Sequence, residues 1–176
     1  MRLPSLAGIE GAGLIEPEMH EDERGFFAVL NLPVPAGPHR WCVARSAQAC
    51  TLRGLHVRPL PGEAKLVRCS AGTAYDVMAD LRPGSATYGD WAAVFLNAGS
   101  PETLVIPAGC AHGYLTLTDN TELTYRIDAD YAPGTDIVIA WNDPELAIRW
   151  PRQPLVMSGR DAKAPPLAGV VALLDA

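Results

Sequence analysis

The sequence predicts an all-β fold, an antiparallel sandwich or barrel with the jelly roll among its closures, ending in a short C-terminal helical segment. Sixteen glycines and sixteen prolines punctuate the chain throughout. Between them lie runs of roughly five to eight residues in which apolar side chains alternate, the pattern of short strands separated by turns. Helical periodicity is nearly absent, and strand follows strand without an intervening helix, which points to packed antiparallel sheets.

In chain order, "RGLH" (53 to 56) and "KLVRC" (65 to 69) read as two successive short strands. "TAYDVMADL" (73 to 81) alternates Tyr75, Val77, Ala79 and Leu81 with its other residues, as a strand buried on one face should. "WAAVFLN" and "TLVIPAG" are two further strands, and "GYLTLTDNTELTYRID" reads as a hairpin around the turn residues "TDNT". The tail "SGRDAKAPPLAGVVALLDA" holds the short helix. No repeat, low-complexity tract or linker divides the chain, so residues 1–176 are expected to form one domain.

Charge and composition exclude several function classes. The formal net charge is −6 and no Lys/Arg block occurs, which argues against nucleic acid and anionic membranes as partners, because both need clustered cations. The first residues lack a basic start followed by an apolar core, and "LAGVVALLDA" is far too short to span a bilayer; a soluble, cytoplasmic protein is expected. Cys42, Cys50, Cys69 and Cys110 form no Cys-x-x-Cys pair. They read as reduced, partly buried small hydrophobes rather than a disulfide framework or a zinc site.

Among residues that can do chemistry, His56 titrates near neutrality and could take a carbon-bound or oxygen-bound proton, with a carboxylate fixing its tautomer. Taken alone it reads more readily as a surface or core histidine held by a backbone carbonyl. Lys65 shares its side of the pleat with Val67 and Cys69, so its ammonium could point into a cavity and stabilise an oxyanion; an edge-strand lysine guarding against aggregation has the same signature. Tyr125 alternates with Leu123 and could act as an acid in a pocket or simply pack. Asp161 could be the carboxylate behind His56, or could turn the backbone.

"PAGCAHG" (107 to 113) has the Pro-x-Gly-x-x-His pattern of the second motif of metal-binding cupin barrels. The first motif of those barrels needs two histidines one residue apart, and this chain has no His-x-His. Its histidines are His20, His39, His56 and His112. A cupin-type metal centre needs three or four converging ligands, so no metal is expected.

The segments "DERGFF" (22 to 27), "RGLH", "KLVRC", "YDVMADLRPGSATYGDW" (75 to 91), "IPAGCAHGYLTL" (106 to 117), "ELTYR" (122 to 126), "WNDPELAIRWP" (141 to 151) and "SGRDAKAP" (158 to 165) form an ordered set. Together, across about residues 14 to 166, they resemble the dTDP-4-dehydrorhamnose 3,5-epimerase family. The resemblance implies a cupin-type jelly-roll β-sandwich, a homodimer that exchanges N-terminal strands, and catalysis without cofactor or metal. It implies a nucleotide-sugar substrate, a 4-keto-6-deoxyhexose epimerised at C3, C5 or both. His56 would be the base, Asp161 its orienting carboxylate, Lys65 the partner of the enolate oxygen and Tyr125 the acid on the opposite face. Arg24 and Arg53 would meet the phosphates, Phe27 and Tyr131 the nucleotide base, while His112 and Arg160 occupy further substrate-binding positions. A base, an acid across the ring and a cation at the oxyanion are what inversion next to a ketone requires.

Departures from the family pattern bear on the substrate. Val29 stands where the family places a glutamate, "WCV" (Trp41 to Val43) where it places Gln-x-Asn, Arg58 where a Gln follows the histidine, and Asp130 where a tyrosine is usual. A keto-isomerase moving the ketone between C3 and C4, or a binding protein without turnover, would use the same scaffold.

Overall fold

The computed structural model describes residues 6–33 and 39–174. The first five residues of the N-terminal stretch read above, and the last two of the tail, lie outside the described residues. In chain order the strands are β1 (Gly13–Ile15), β2 (Met19–Asp22), β3 (Gly25–Ala28), β4 (Arg40–Ser46), β5 (Leu52–Val57), β6 (Lys65–Ala71), β7 (Thr73–Asp80), β8 (Trp91–Asn97), β9 (Thr103–Ile106), β10 (Cys110–Thr116), β11 (Thr121–Ile127) and β12 (Ile137–Val138). Two five-stranded sheets face each other, ordered β1-β9-β6-β11-β4 and β12-β5-β10-β7-β8, and β2 and β3 form a separate hairpin. All strand pairings within them are antiparallel.

Between the sheets, Val67, Leu104, Ile106 and Leu123 of the first meet Ala74, Met78, Leu96 and Cys110 of the second. A second apolar layer lies on the far side of the second sheet, where Leu55, Val57, Ala79 and Ala111 pack against Ile139, Leu146, Leu167, Val170 and Leu174 of the C-terminal segment. That segment carries α1 (Gly159–Ala162), a 3-10 turn at Leu167–Gly169 and α2 (Val171–Leu174), as the tail composition predicts. Its outer layer is pinned by Asp143, whose carboxylate accepts from the backbone N–H groups of Glu145, Leu146 and Leu167 at 3.0, 2.9 and 2.7 Å.

Two expectations change. β7 is not buried on one face alone: Asp76, Met78 and Asp80 are buried as well as Val77 and Ala79, because the C-terminal layer covers the face that would otherwise meet solvent. "GYLTLTDNTELTYRID" supplies two strands but no hairpin. β10 pairs with β5 and β7, and β11 with β4 and β6, so "TDNT" crosses from one sheet to the other. The physical reason is visible in β10, all seven of whose residues are buried. A strand apolar on both faces takes a central position, and with β5 and β7 on its two edges it has none left for β11.

The same crossing separates "RGLH" from "KLVRC". β5 lies in the second sheet and β6 in the first. Successive strands therefore present their polar side chains towards each other across the sandwich.

Candidate active site

One open end of the sandwich holds a cavity of about 540 Å³. From the second sheet it receives Arg53 and His56 of β5 and His112 and Tyr114 of β10; from the first, Arg40 of β4, Lys65 of β6 and Tyr125 of β11. The loop 131–136 and the start of α1 close its rim.

His56 sits opposite His112 in the ladder. β5 can approach β10 this closely because glycines face one another there. A Cβ on Gly54, whose φ is +119°, would lie 2.6 Å from the Gly113 Cα, and the ladder shifts register between His112 and Tyr114 at that point. Backbone bonds between Leu55 and Ile139, and between Ala140 and Pro165, then bring the C-terminal segment alongside β5. Ser158 caps α1 through the Asp161 N–H, and the Asp161 carboxylate lands 2.7 Å from His56 Nε2.

Asp161 is 4 % exposed, and its burial alone would raise its pKa. Hydrogen bonds from His56, Ser158 and the Gly54 backbone override that and hold the carboxyl below its ordinary range. An ionised Asp161 accepts from Nε2–H, which leaves the lone pair of the neutral imidazole on Nδ1. His112 forms a second such pair, Nε2 lying 2.9 Å from Asp76 Oδ1, but deeper, where both residues are buried.

Lys65 is buried on the facing sheet. Burial pulls its pKa below the usual lysine value, and Glu63, with Oε1 at 3.4 Å from Nζ, opposes the loss of charge. Glu63 also accepts from Arg40 at 2.8 Å and Arg58 at 3.3 Å. Its own carboxyl, which burial would raise, is kept low by Lys65 and Arg40. Tyr125 is nine-tenths buried, and desolvation pushes its phenol well above the ordinary tyrosine value, so it holds its proton at neutral pH.

His56, Asp161, Lys65, Tyr125, Arg53, His112, Tyr131 and Arg160 therefore converge on one cavity. Arg53 is steadied by Ser46 Oγ at 3.3 Å, and Arg160 by Asp136 at 2.9 Å. Tyr131 is 75 % exposed at the rim, with the Arg40 guanidinium 5.9 Å from its ring centroid. Arg24 and Phe27 do not join them. Both lie on the β2–β3 hairpin, Phe27 two-thirds exposed and Arg24 paired locally with Asp22, outside the cavity lining of their own chain.

The "WCV" departure divides between the two faces of β4. Along this strand the side chains of Arg40, Cys42 and Ala44 line the cavity, whereas Trp41 and Val43 are more than 60 % exposed on the opposite face, outside the cavity lining of their own chain. Val29 and Asp130 are also outside the lining, although the Asp130 carbonyl accepts from Arg40 at 2.7 Å, and Arg58 lines the cavity as expected.

Sequence reasoning passes over Arg40, Glu63, Asp76, Tyr114 and Asp136. Asp76 carried a signal, since an aspartate in phase with Ala74 and Met78 of an otherwise apolar strand requires a buried partner. Among the described residues no three of His, Cys, Asp or Glu cluster as metal ligands, and no helix is long and apolar enough to cross a membrane. Cys42, Cys50, Cys69 and Cys110 are free, with Cys69 and Cys110 buried in the core.

The model of the family described as dTDP-4-dehydrorhamnose 3,5-epimerase matches residues 7–169. The chain is 38 % identical to the dTDP-4-dehydrorhamnose 3,5-epimerase of Escherichia coli K12, over 88 % of this chain and 89 % of that one. It superposes on a dTDP-6-deoxy-D-glucose-3,5-epimerase of Legionella pneumophila, crystallised with dTDP-4-keto-L-rhamnose, with a TM-score of 0.86 and 33 % identity, covering 97 % and 95 % of the two chains. It is similar also to a 3'-monoepimerase of Streptomyces bikiniensis in complex with dTDP-quinovose, at a TM-score of 0.83 and 32 % identity over 99 % of this chain and 91 % of that one. With its fold, its paired His56 and Asp161 and these matches agreeing, the chain belongs to the dTDP-4-dehydrorhamnose 3,5-epimerase family.

Proposed function

We propose that this isomerase epimerises a dTDP-linked 4-keto-6-deoxyhexose at the carbons flanking its ketone, converting the dTDP-4-dehydro-6-deoxy-D-glucose type into the dTDP-4-dehydro-L-rhamnose type. The observation that carries the reading is the placement of His56 and Asp161 on one wall of the cavity with Lys65 and Tyr125 on the facing wall.

His56 Nδ1 takes the proton from the carbon next to C4, and Asp161 stabilises the imidazolium that forms. The electron pair of that C–H bond moves onto the C4 oxygen, whose enolate charge the Lys65 ammonium balances in a site of low polarity. Tyr125 delivers its phenolic proton to the opposite face of the same carbon, which inverts it. Arg53 is matched to the diphosphate and Tyr131 to the planar base, while His112 and Arg160 bound the sugar.

Arg24 and Phe27 fit a homodimer in which each chain lends its N-terminal hairpin to the other's cavity. Their exposed positions away from their own cavity support this. We place the enzyme in the cytoplasm as one domain spanning residues 1–176; the free cysteines agree with a reducing compartment.

A second reading, inversion at C3 alone, is favoured by the similarity to the 3'-monoepimerase. Turnover of dTDP-4-keto-6-deoxyglucose in deuterium oxide separates the two. Deuterium at both flanking carbons identifies the double epimerase and deuterium at C3 alone the single one. Absence of deuterium from both carbons overturns the proposal.

A further inference from the structure

We propose that Tyr114 is the proton reserve of Tyr125, a second phenol that holds and reloads the acid from behind. The inference rests on Tyr125 being that acid, as proposed above. Tyr114 projects from β10 of the second sheet and Tyr125 from β11 of the first, and their ring centroids lie 6.5 Å apart across the sandwich. Both line the cavity, with Tyr114 only 2 % exposed.

The Tyr114 hydroxyl is buried and completes no hydrogen bond of good geometry in the described structure. A buried hydroxyl left in that state is destabilising, a cost that a core phenylalanine would avoid. Burial raises its pKa, and the neighbouring hydroxyls of Tyr125 and Ser46 offset part of that rise. Ser46 Oγ in turn accepts from Arg53 Nε at 3.3 Å. A line of polar groups thus runs from the cavity cation Arg53 through Ser46 and Tyr114 to Tyr125.

The chemistry gives this line a use. Each inversion leaves Tyr125 as a phenolate in a buried site, where desolvation makes that charge costly. The Tyr114 O–H can donate to the phenolate and then pass its proton: the Tyr114 O–H bond breaks, the Tyr125 O–H bond re-forms, and the charge moves onto the Tyr114 oxygen. There it faces Arg53 of β5 and the Ser46 hydroxyl of β4, which favour it, and Asp76 of β7, which opposes it. The Ser46 hydroxyl, which accepts from the exposed Arg53, passes a proton to Tyr114 and takes one back from the cavity mouth, as His56 releases the one it took. Tyr125 is therefore recharged without the substrate leaving, a requirement wherever a second carbon is inverted in one binding event.

The test is Tyr114→Phe, which keeps the ring and removes one oxygen, compared with wild type and Tyr125→Phe on dTDP-4-keto-6-deoxyglucose. The expected result for Tyr114→Phe is a kcat lower by about tenfold, the low end of proton-transfer effects, at unchanged KM. In a single turnover the first inversion should keep its wild-type rate and only the reloading that follows it should slow, because Tyr125 starts with its own proton. A Tyr114→Phe enzyme matching wild type in kcat, or one slowed equally in the first inversion, overturns the inference and leaves the acid role of Tyr125 intact. Full activity in Tyr125→Phe, or no turnover by wild type, overturns the parent reading and this inference with it.

Discussion

At the scale of single residues, the site is organised by what burial does to charge. Asp161 is held ionised by the hydrogen bonds it accepts, Tyr125 is held protonated by desolvation, and Lys65 keeps its charge because Glu63 stands 3.4 Å away. Glu63 lowers the cost of the ammonium that the proposed enolate would need. Glu63→Gln should therefore drop Lys65 further below its usual value and move the alkaline limb of kcat to lower pH. The same substitution has a stability signature. The Glu63 pKa is depressed in the folded protein, so its stabilisation is complete above the unfolded value of 4.5 and is lost as pH falls through the lower folded value. The gap between wild type and Glu63→Gln in denaturant unfolding should be about 1–3 kcal/mol at neutral pH and should close progressively below pH 4.5. His56, Lys65, Tyr125 and Asp161 were legible in the sequence because the family motifs fall on them. Glu63 and Tyr114 were not, since each acts through a neighbour that only the folded chain supplies.

Among the elements, β5 and β10 decide the geometry. Their closeness depends on Gly54, where a side chain would meet both the Gly113 Cα at 2.6 Å and the His112 carbonyl oxygen at 2.7 Å. Gly54→Ala combines that overlap with a left-handed φ. It should destabilise the protein by about 2–3 kcal/mol, read as a lower thermal midpoint, and should reduce kcat as His56 moves away from Asp161. Strand existence was readable from alternation: "WAAVFLN" is β8 in full. Pairing was not readable. "TDNT" has hairpin composition, but two-sided burial of β10 overrides local turn chemistry and sends β11 to the other sheet.

For the whole molecule, three layers share the work. The first sheet carries the proposed acid, Tyr125, and the proposed cation, Lys65; the second carries the proposed base, His56, and the C-terminal layer delivers Asp161 to it. The β2–β3 hairpin stands apart, and the proposed exchange of hairpins makes the nucleotide end of each cavity a two-chain construction. Co-refolding inactive His56→Ala with Phe27→Ala chains tests it. One site of the mixed dimer would combine an intact His56 with an intact Phe27 from the other chain, so kcat/KM should recover beyond the sum of the separate variants. A hairpin serving its own chain gives no recovery. One chain's alternation and turns say nothing of what a neighbour would lend, so at this level the sequence spoke only through the family resemblance.

The most direct measurement separates the two faces of the reaction by solvent exchange in dTDP-4-keto-6-deoxyglucose, with His56→Ala and Tyr125→Phe observed by NMR in deuterium oxide. A base on one wall and an acid on the other predict that Tyr125→Phe still exchanges the carbon-bound hydrogen but inverts it poorly, while His56→Ala neither exchanges nor inverts. Exchange that survives in His56→Ala at the wild-type rate would contradict the account.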